Sequence, residues 1–200
     1  MSTISSDTEY IDQTFKGVQL GGIELRGSDF DSCHFSDCNF ADATWRDCQF
    51  TNCVFQQCDL SLVQVPATSF LATRFESCKL IGVDWTRADW NPIRRDSPIS
   101  FLSCTLNHST FIGLNLCRLQ LTESMAANVD FREANLSRAS FANTDLLDSL
   151  FLNTNMTGAD LSQARQYTIA PQHNNLKQTK FSLPEAMSLL YNLDIVLVEE

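Results

Sequence analysis

Large apolar side chains recur at every fifth position along most of the chain. One series runs from Phe15 to Trp90, and a second begins at Phe101 and continues to Leu161. All three tryptophans and 13 of the 14 phenylalanines lie on these two series. Neither an α-helix, with a period of about 3.6 residues, nor a β-strand, with a period of about 2, repeats in this way. The five-residue period therefore predicts a repeat protein in which every unit has the same shape.

Each unit reads small, polar, large, polar, polar, as in Cys33-His34-Phe35-Ser36-Asp37. Two positions must point inward and three outward, and a chain that turns a corner after each unit satisfies this requirement. The pattern resembles the pentapeptide-repeat family over about residues 13–166. The resemblance implies an all-β solenoid, a right-handed quadrilateral β-helix of about seven to eight coils. Four units make one coil, so residues twenty apart are expected to stack.

The breaks in the pattern predict the organisation of the chain. Six segments follow: an N-terminal cap or flexible segment at 1–12, a first β-helix block at 13–90, a protruding loop at 91–100, a second block at 101–166, an irregular connection at 167–181, and a C-terminal helix and strand at 182–200.

Seven of the eight cysteines occupy the small position two residues before a large centre: Cys33, Cys38, Cys48, Cys53, Cys58, Cys78 and Cys104. This placement predicts that cysteine serves as a small buried filler. There is no C-x-x-C pair, and we predict no metal site. Cysteines twenty apart would stack at about 4.8 Å, inside the Cα range of a disulfide, so distance leaves oxidation open. Free thiols are the prediction.

The chain is acidic, with 24 acidic and 14 basic residues and a net charge of −10. Residues 1–100 hold 14 acidic against eight basic residues, and the remainder holds ten against six. Such a surface disfavours direct binding to nucleic acid or an anionic membrane and favours a positively charged protein partner. The alternative is that acidity only maintains solubility. The candidate acidic surface comprises Asp29, Asp31, Asp37, Asp42, Asp47, Asp59, Asp84 and Asp89.

The segment between the two series has the features of a functional loop. It comprises Asn91, Pro92, Ile93, Arg94, Arg95, Asp96, Ser97 and Pro98. Two prolines stiffen its flanks, and adjacent arginines near its tip contrast with the acidic remainder. The alternative is a tolerated insertion without a role.

The C-terminal segment predicts a dimerisation module. Ser182-Leu-Pro-Glu185 reads as a capping box before a short amphipathic helix over 186–193, and 194–198 reads as a β-strand. An exposed apolar strand favours pairing with a second copy, and the alternative is a monomeric cap. The candidate interface comprises Leu183, Met187, Leu190, Tyr191, Leu193, Ile195 and Leu197.

Within the family, the chain resembles the subgroup that protects type II DNA topoisomerases from poisons, which includes the plasmid quinolone-resistance proteins. Residues 59–66 and 181–190 are similar to albicidin self-resistance proteins. The resemblance implies a DNA-like dimeric rod that binds DNA gyrase, with topoisomerase IV as a further candidate. The alternative is an acidic scaffold for some other basic protein.

An enzyme is not expected, because the three histidines are scattered and no catalytic motif is present. We therefore assign no catalytic residue and no cofactor. The N-terminus carries early acidic residues and no apolar run, and no stretch is long enough to span a membrane. These features predict a cytoplasmic protein.

Overall fold

The five-residue period folds as a parallel β-solenoid of about eight coils. The computed structural model describes residues 4–90, 99–193 and 195. Strands pair in register with strands twenty residues further along, as Phe15 with Phe35 and Phe35 with Phe55. Each coil therefore has four faces of five residues, which we call A, B, C and D in chain order.

Ladders of short parallel strands form the faces. Face A carries β1 (Glu9–Ile11), β4 (Asp29–Asp31), β7 (Gln49–Thr51) and β9 (Ser69–Leu71). Face B carries β2 (Thr14–Lys16), β5 (His34–Ser36), β8 (Val54–Gln56), β10 (Arg74–Glu76), β11 (Ser100–Leu102), β12 (Gln120–Thr122), β13 (Asp160–Leu161) and β14 (Lys180–Phe181). Face D carries β3 (Glu24–Arg26) and β6 (Thr44–Arg46). Face C is held by single bridges such as Asn39 with Asp59.

Helical turns occur at three places in the described chain, the last of them at its end. Short 3₁₀ segments span Trp85–Arg87, Pro171–His173 and Glu185–Met187, and the last continues into a one-turn helix, α1 (Ser188–Tyr191). The predicted strand over 194–198 lies outside the described residues except for Ile195, which is not in a strand.

The solenoid extends further in both directions than the sequence pattern. Strand β1 lies inside the segment 1–12 and pairs with β4. Within the segment 167–181, Asn175 bridges to Asn155 and β14 pairs with β13. Backbone pairing needs no large apolar centre, so the ladder continues where the side-chain pattern has faded.

The interruption at 91–98 leaves the ladder intact. Phe75 pairs with Phe101, 26 residues on rather than 20, so the extra six residues are absorbed between Trp90 on face A and Phe101 on face B. The insertion itself lies outside the described residues. Ile99, directly after it, is buried.

The core consists of stacked rings and small side chains. On face B the rings of Phe35 and Phe55 lie 4.4 Å apart with an interplanar angle of 5°, and the stack continues through Phe75 to Phe101. Phe30 and Phe50 stack in the same way on face A. The predicted burial of the large and small positions is thereby confirmed.

The small position does more than fill space. Its thiol or hydroxyl donates to the carbonyl of a centre in the coil before, as Cys38 does to Phe15 (3.4 Å) and Thr68 to Trp45 (2.8 Å). Its sulfur or oxygen also accepts from a backbone N–H one coil back, as Cys78 does from Cys58 and Cys104 from Cys78 (both 3.4 Å).

The bonds to sulfur replace a hydrogen bond that other corners make within the turn, between the N–H of the small position and the carbonyl of the preceding centre. After Leu136, for example, the N–H of Ala139 closes the turn on the carbonyl of Leu136 (3.0 Å). At Cys58 and Cys78 the N–H is satisfied by the next thiol instead. The seven predicted filler cysteines are all buried, as predicted; they are free thiols in this structure, and Cys117 is half-buried.

Candidate functional site

Three of the predicted acidic residues occupy the corners of the coil. Asp37, Asp42 and Asp47 have φ angles of 55°, 58° and 54°, in the left-handed region. Asp, Asn and Gly adopt this region at the lowest cost, so the fold gives a reason for these residue types. All three are exposed, and the corner geometry places a carboxylate outward at successive edges of the rod.

Other members of the acidic surface have local partners. Asp59 accepts from the N–H of Ser61 (3.0 Å), and Asp84 accepts from the N–H of Thr86 (3.1 Å) at the start of a 3₁₀ segment. Asp31 accepts from the hydroxyl of Ser32 (2.9 Å). These carboxylates therefore also support turns.

Few of these acids are neutralised by ion pairs within the described chain. Asp37 lies 3.9 Å from the Lys16 ammonium, and Asp59 lies 3.9 Å from that of Lys79, all on exposed side chains. Exposed pairs of this length contribute little to stability. Asp29 and Asp89 complete the set, and Asp29 pairs across the sheet with Glu9 and Gln49. The stack on face A therefore reads Glu9, Asp29, Gln49, Ser69. Because the third and fourth members are uncharged, the acids do not form a continuous column.

The negative charge is concentrated in the first block. Residues 4–90 hold 13 acidic and six basic residues, whereas residues 99–193 hold seven and six. The division of the sequence at residue 100 makes the acidity seem evenly spread, because the arginines of the insertion are counted with the first half and the acids of 194–200 with the second. Divided by the coils, the first block carries a net charge of −7 and the second of −1.

Acids of the second block are held in salt bridges, as Glu24, Asp37 and Asp59 are in the first. Arg132 lies 2.7 Å from Asp130, and this guanidinium holds the pKa of the carboxyl below its usual range. Arg165 lies 3.2 Å from Asp145, one coil before it on face C. Salt bridges thus occur in both blocks, and the difference in net charge is what confines the acidic surface to one end of the rod.

Two arginines that the pattern did not single out lie at the corner between faces A and B, on which the described residues 90 and 99 flank the insertion. They are Arg118 and Arg138, with φ angles of 66° and 59°. The sequence alone could have placed these arginines at that corner, because 118 lies 26 residues after 92 and 138 lies 20 residues after 118.

A ladder of amides runs along face A beside these arginines. Asn135 donates to Asn115 (2.8 Å), and Asn155 donates to Asn135 (3.0 Å). Further along, an open polar depression is lined by Asn153, Gln172, His173 and Asn175, among others. Among the described residues no group of three or more His, Cys, Asp or Glu side chains is arranged to hold a metal ion.

The C-terminal module presents an apolar outer side. Leu183, Met187, Tyr191, Leu193 and Ile195 are exposed, whereas Leu190 is half-buried. Leu197, the remaining member of the candidate interface, lies outside the described residues. Leu189 packs inward against the core.

The predicted capping box is wrong. The N-cap position of the Glu185–Met187 turn is Pro184, which makes no side-chain cap bond. The Ser182 hydroxyl instead accepts from the N–H of Gln163 (3.1 Å), and the Glu185 carboxylate accepts from that of Gln166. These N–H groups lie at the open end of the ladder, so the two side chains cap the solenoid rather than the helix.

Comparison with known proteins identifies the repeat. A family model described as pentapeptide repeat region matches residues 28–111, and one described as pentapeptide repeats matches residues 100–138 and 134–165. No curated protein sequence matches the chain. In the described residues no helix is long and apolar enough to cross a membrane.

Solved structures show the same fold. A trypsin-treated variant of QnrB1, a plasmid-mediated fluoroquinolone resistance protein, is 16% identical, with a TM-score of 0.61 over 95% of this chain and 100% of that one. Full-length QnrB1 is also 16% identical, with a TM-score of 0.53 over 94% and 100%. At this identity the likeness shows the fold alone.

Proposed function

Because the chain belongs to the pentapeptide-repeat family, we propose that it is a non-enzymatic resistance factor that binds DNA gyrase and protects it from a topoisomerase poison. Albicidin and the fluoroquinolones are the candidate drugs, and topoisomerase IV is a further candidate partner. The proposal includes a stoichiometric mode of action and a location in the cytoplasm, where gyrase works.

The concentration of exposed acid in the first block carries this proposal. A gyrase surface that holds duplex DNA must be positively charged, since it neutralises phosphates. A net charge of −7 on residues 4–90 would steer that end of the rod toward such a surface. The proposed attraction is a diffuse field, because Asp29 is followed in its column by Gln49 and Ser69 rather than by further acids.

The likeness to QnrB1 supports the choice of partner class. That protein is described as conferring fluoroquinolone resistance, and its fold covers nearly the whole of this chain. In the proposal, residues 91–98 act on the drug or its site once the rod is bound. Arg118 and Arg138, at the corner between faces A and B, extend its positive charge along the rod.

A second candidate function is a scaffold for some other basic protein. The wrapped arrangement of Asp37, Asp42 and Asp47 around successive corners favours it, because such a field is not specific for a DNA-binding groove. The two functions differ in whether gyrase is rescued from a drug.

Gyrase supercoiling in the presence of albicidin or a fluoroquinolone tests the proposal. Wild-type protein should restore supercoiling at concentrations near that of the enzyme. A variant lacking residues 92–98 should bind gyrase without rescuing it. Failure of wild type to rescue supercoiling from either drug would leave the scaffold as the function.

A matched pair of charge variants separates the acidic end from acidity in general. D42N/D47N and E133Q/D148N each remove two charges from exposed left-handed corners, with φ between 54° and 61°. Asn tolerates this conformation, and Gln already adopts it at Gln57 and Gln163, so both variants should fold. The first should raise the protective concentration by about fivefold and the second should leave it unchanged. Equal effects would contradict a role for the first block.

A further inference from the structure

An apolar patch interrupts the polar surface of the second block. Leu147, Leu150 and Leu152 are 43%, 48% and 42% exposed, and they lie within six residues around one corner of the coil. Single exposed leucines are ordinary, but three around one corner, with Asp148 as the one charged residue between them, form a cluster that can serve as an interaction surface.

The coil before it shows what face D carries when it is solvated. Leu150 bridges to Asp130, and the corresponding outward position for Leu152 is Arg132. In that coil the two positions hold a salt bridge of 2.7 Å, and in the first coil they hold Glu24 and Arg26, also paired (2.9 Å). Two leucines therefore stand where two other coils of face D hold an ion pair.

The end of the described chain lies close to this patch. Gln172 is the next outward residue after Leu152 on face D, and its side chain donates to the carbonyl of Asn192 (2.9 Å). Asn192 is thus two coils from Leu152, about 10 Å at strand spacing. The segment that follows, 194–200, reads Asp-Ile-Val-Leu-Val-Glu-Glu, with four consecutive apolar residues. Fully extended, its seven residues span about 23 Å, enough to reach the patch.

A second uncovered surface decides which copy supplies that segment. Leu183 and Tyr191 are 79% and 70% exposed, and with Met187 they recur every four residues on the outer side of the C-terminal cap. The chain's own segment, folded back along face D, would leave this cap in water. A second copy seated on the cap would cover it and would carry its own 194–200 to the edge of face D.

From this arrangement we propose that residues 194–200 of a second copy pack on the patch formed by Leu147, Leu150 and Leu152. By two-fold symmetry each copy covers the patch of the other, in an isologous contact. The proposal adds to the predicted C-terminal dimer a specific contact on face D of each rod. It does not depend on gyrase, and its test contains no drug or enzyme.

The variant L150D/L152R tests it without endangering the fold, because it installs the ion pair that the preceding coil already holds. Sedimentation equilibrium of the full chain should show a dimer for wild type and a dissociation constant at least tenfold higher for the variant. Deletion of 194–200 should weaken the dimer to a similar extent, and the combination should add nothing further. L102R, at an exposed leucine on face B, is the matched control and should have no effect.

A cysteine pair identifies the occupant directly. L152C/L197C should form a disulfide between chains, seen as a dimer on non-reducing electrophoresis. A disulfide within one chain would overturn the proposal and assign the patch to the chain's own terminus. A monomeric wild type, or a dimer that L150D/L152R leaves unchanged, would overturn it as well.

Discussion

The two blocks of the solenoid share one backbone but differ inside and out. Residues 4–90 have centres that are mostly aromatic, six of the seven buried cysteines and a net charge of −7. Residues 99–193 have mostly aliphatic centres with alanine, serine or threonine at many small positions, and a net charge of −1. The first has ten three-residue strands, whereas the described second block is held largely by single bridges. The comparison teaches that the repeat fixes the coil and leaves both core chemistry and surface charge free.

The largest effect should come from breaking a ring stack. Phe55 is fully buried between Phe35 and Phe75, at centroid distances of 4.4 and 5.0 Å. F55A should lower the free energy of unfolding by about 4 kcal/mol, through lost burial and an unfilled cavity. L121A, at a fully buried aliphatic centre of the same face, should cost about 3 kcal/mol. Urea denaturation measures both losses of stability. A larger loss for L121A would contradict the expectation that the aromatic core of the first block contributes more per centre than the aliphatic core of the second.

A thiol of the first block should matter through its hydrogen bonds. Cys78 donates to the carbonyl of Phe55 (3.3 Å) and accepts from the N–H of Cys58 (3.4 Å). C78A leaves both groups buried without that partner and should cost about 1–3 kcal/mol in urea denaturation. C78S keeps a donor and an acceptor and should recover part of the loss. C117A changes a cysteine outside the small positions, and its stability should stay within about 0.5 kcal/mol of wild type. Equal losses for C78A and C117A would show that the buried thiols only fill space.

Alkaline pH should weaken the first block through the same thiols. Burial raises the pKa of Cys53 to about 12, above the value of about 8.5 for an unfolded chain. The contribution of this thiol to the free energy of unfolding is therefore complete below about pH 8.5. It is lost as the pH rises toward 12, because Cys53 ionises in the unfolded chain before it ionises in the folded one. Between pH 8.5 and 10.5, wild type should lose about 1–2 kcal/mol more stability than C53A. Parallel pH profiles for the two proteins would contradict this account.

The sequence predicted the coil well because a single signal, the large centre, repeats along the chain. Phe15 and Phe35 stack as the twenty-residue arithmetic requires, and so does Phe101 once the six-residue shift is known. The arithmetic needs only that the large centre of each unit be buried. Hydrogen bonds of the small position were missed, because Cys, Ser, Thr and Ala look interchangeable when only their size is considered.

The candidate site was less accessible to sequence reasoning. Leu150 and Leu152 flank the centre Phe151 and read as ordinary variation until the preceding coil shows an ion pair in their places. Ser182 and Glu185 match a capping box by spacing, but the open end of the ladder competes for the same oxygens. Both misses depend on contacts between coils, which a local motif does not contain.

The smallest effect tests the charge difference on stability. Asp42 lies in the block of net charge −7, and Asp148 occupies a corresponding left-handed corner in the block of −1. D42N removes a charge that its neighbours repel and should stabilise the protein by a few tenths of a kcal/mol at low ionic strength. At about 0.5 M salt the gain should vanish, because screening shortens the range of the repulsion to a few ångströms. D148N should change stability little at either salt concentration, since its surroundings are nearly neutral. Thermal unfolding of both variants at two salt concentrations therefore measures whether the acidic end is maintained at a cost to folding; a salt-independent gain in D42N would trace the effect to the corner conformation instead.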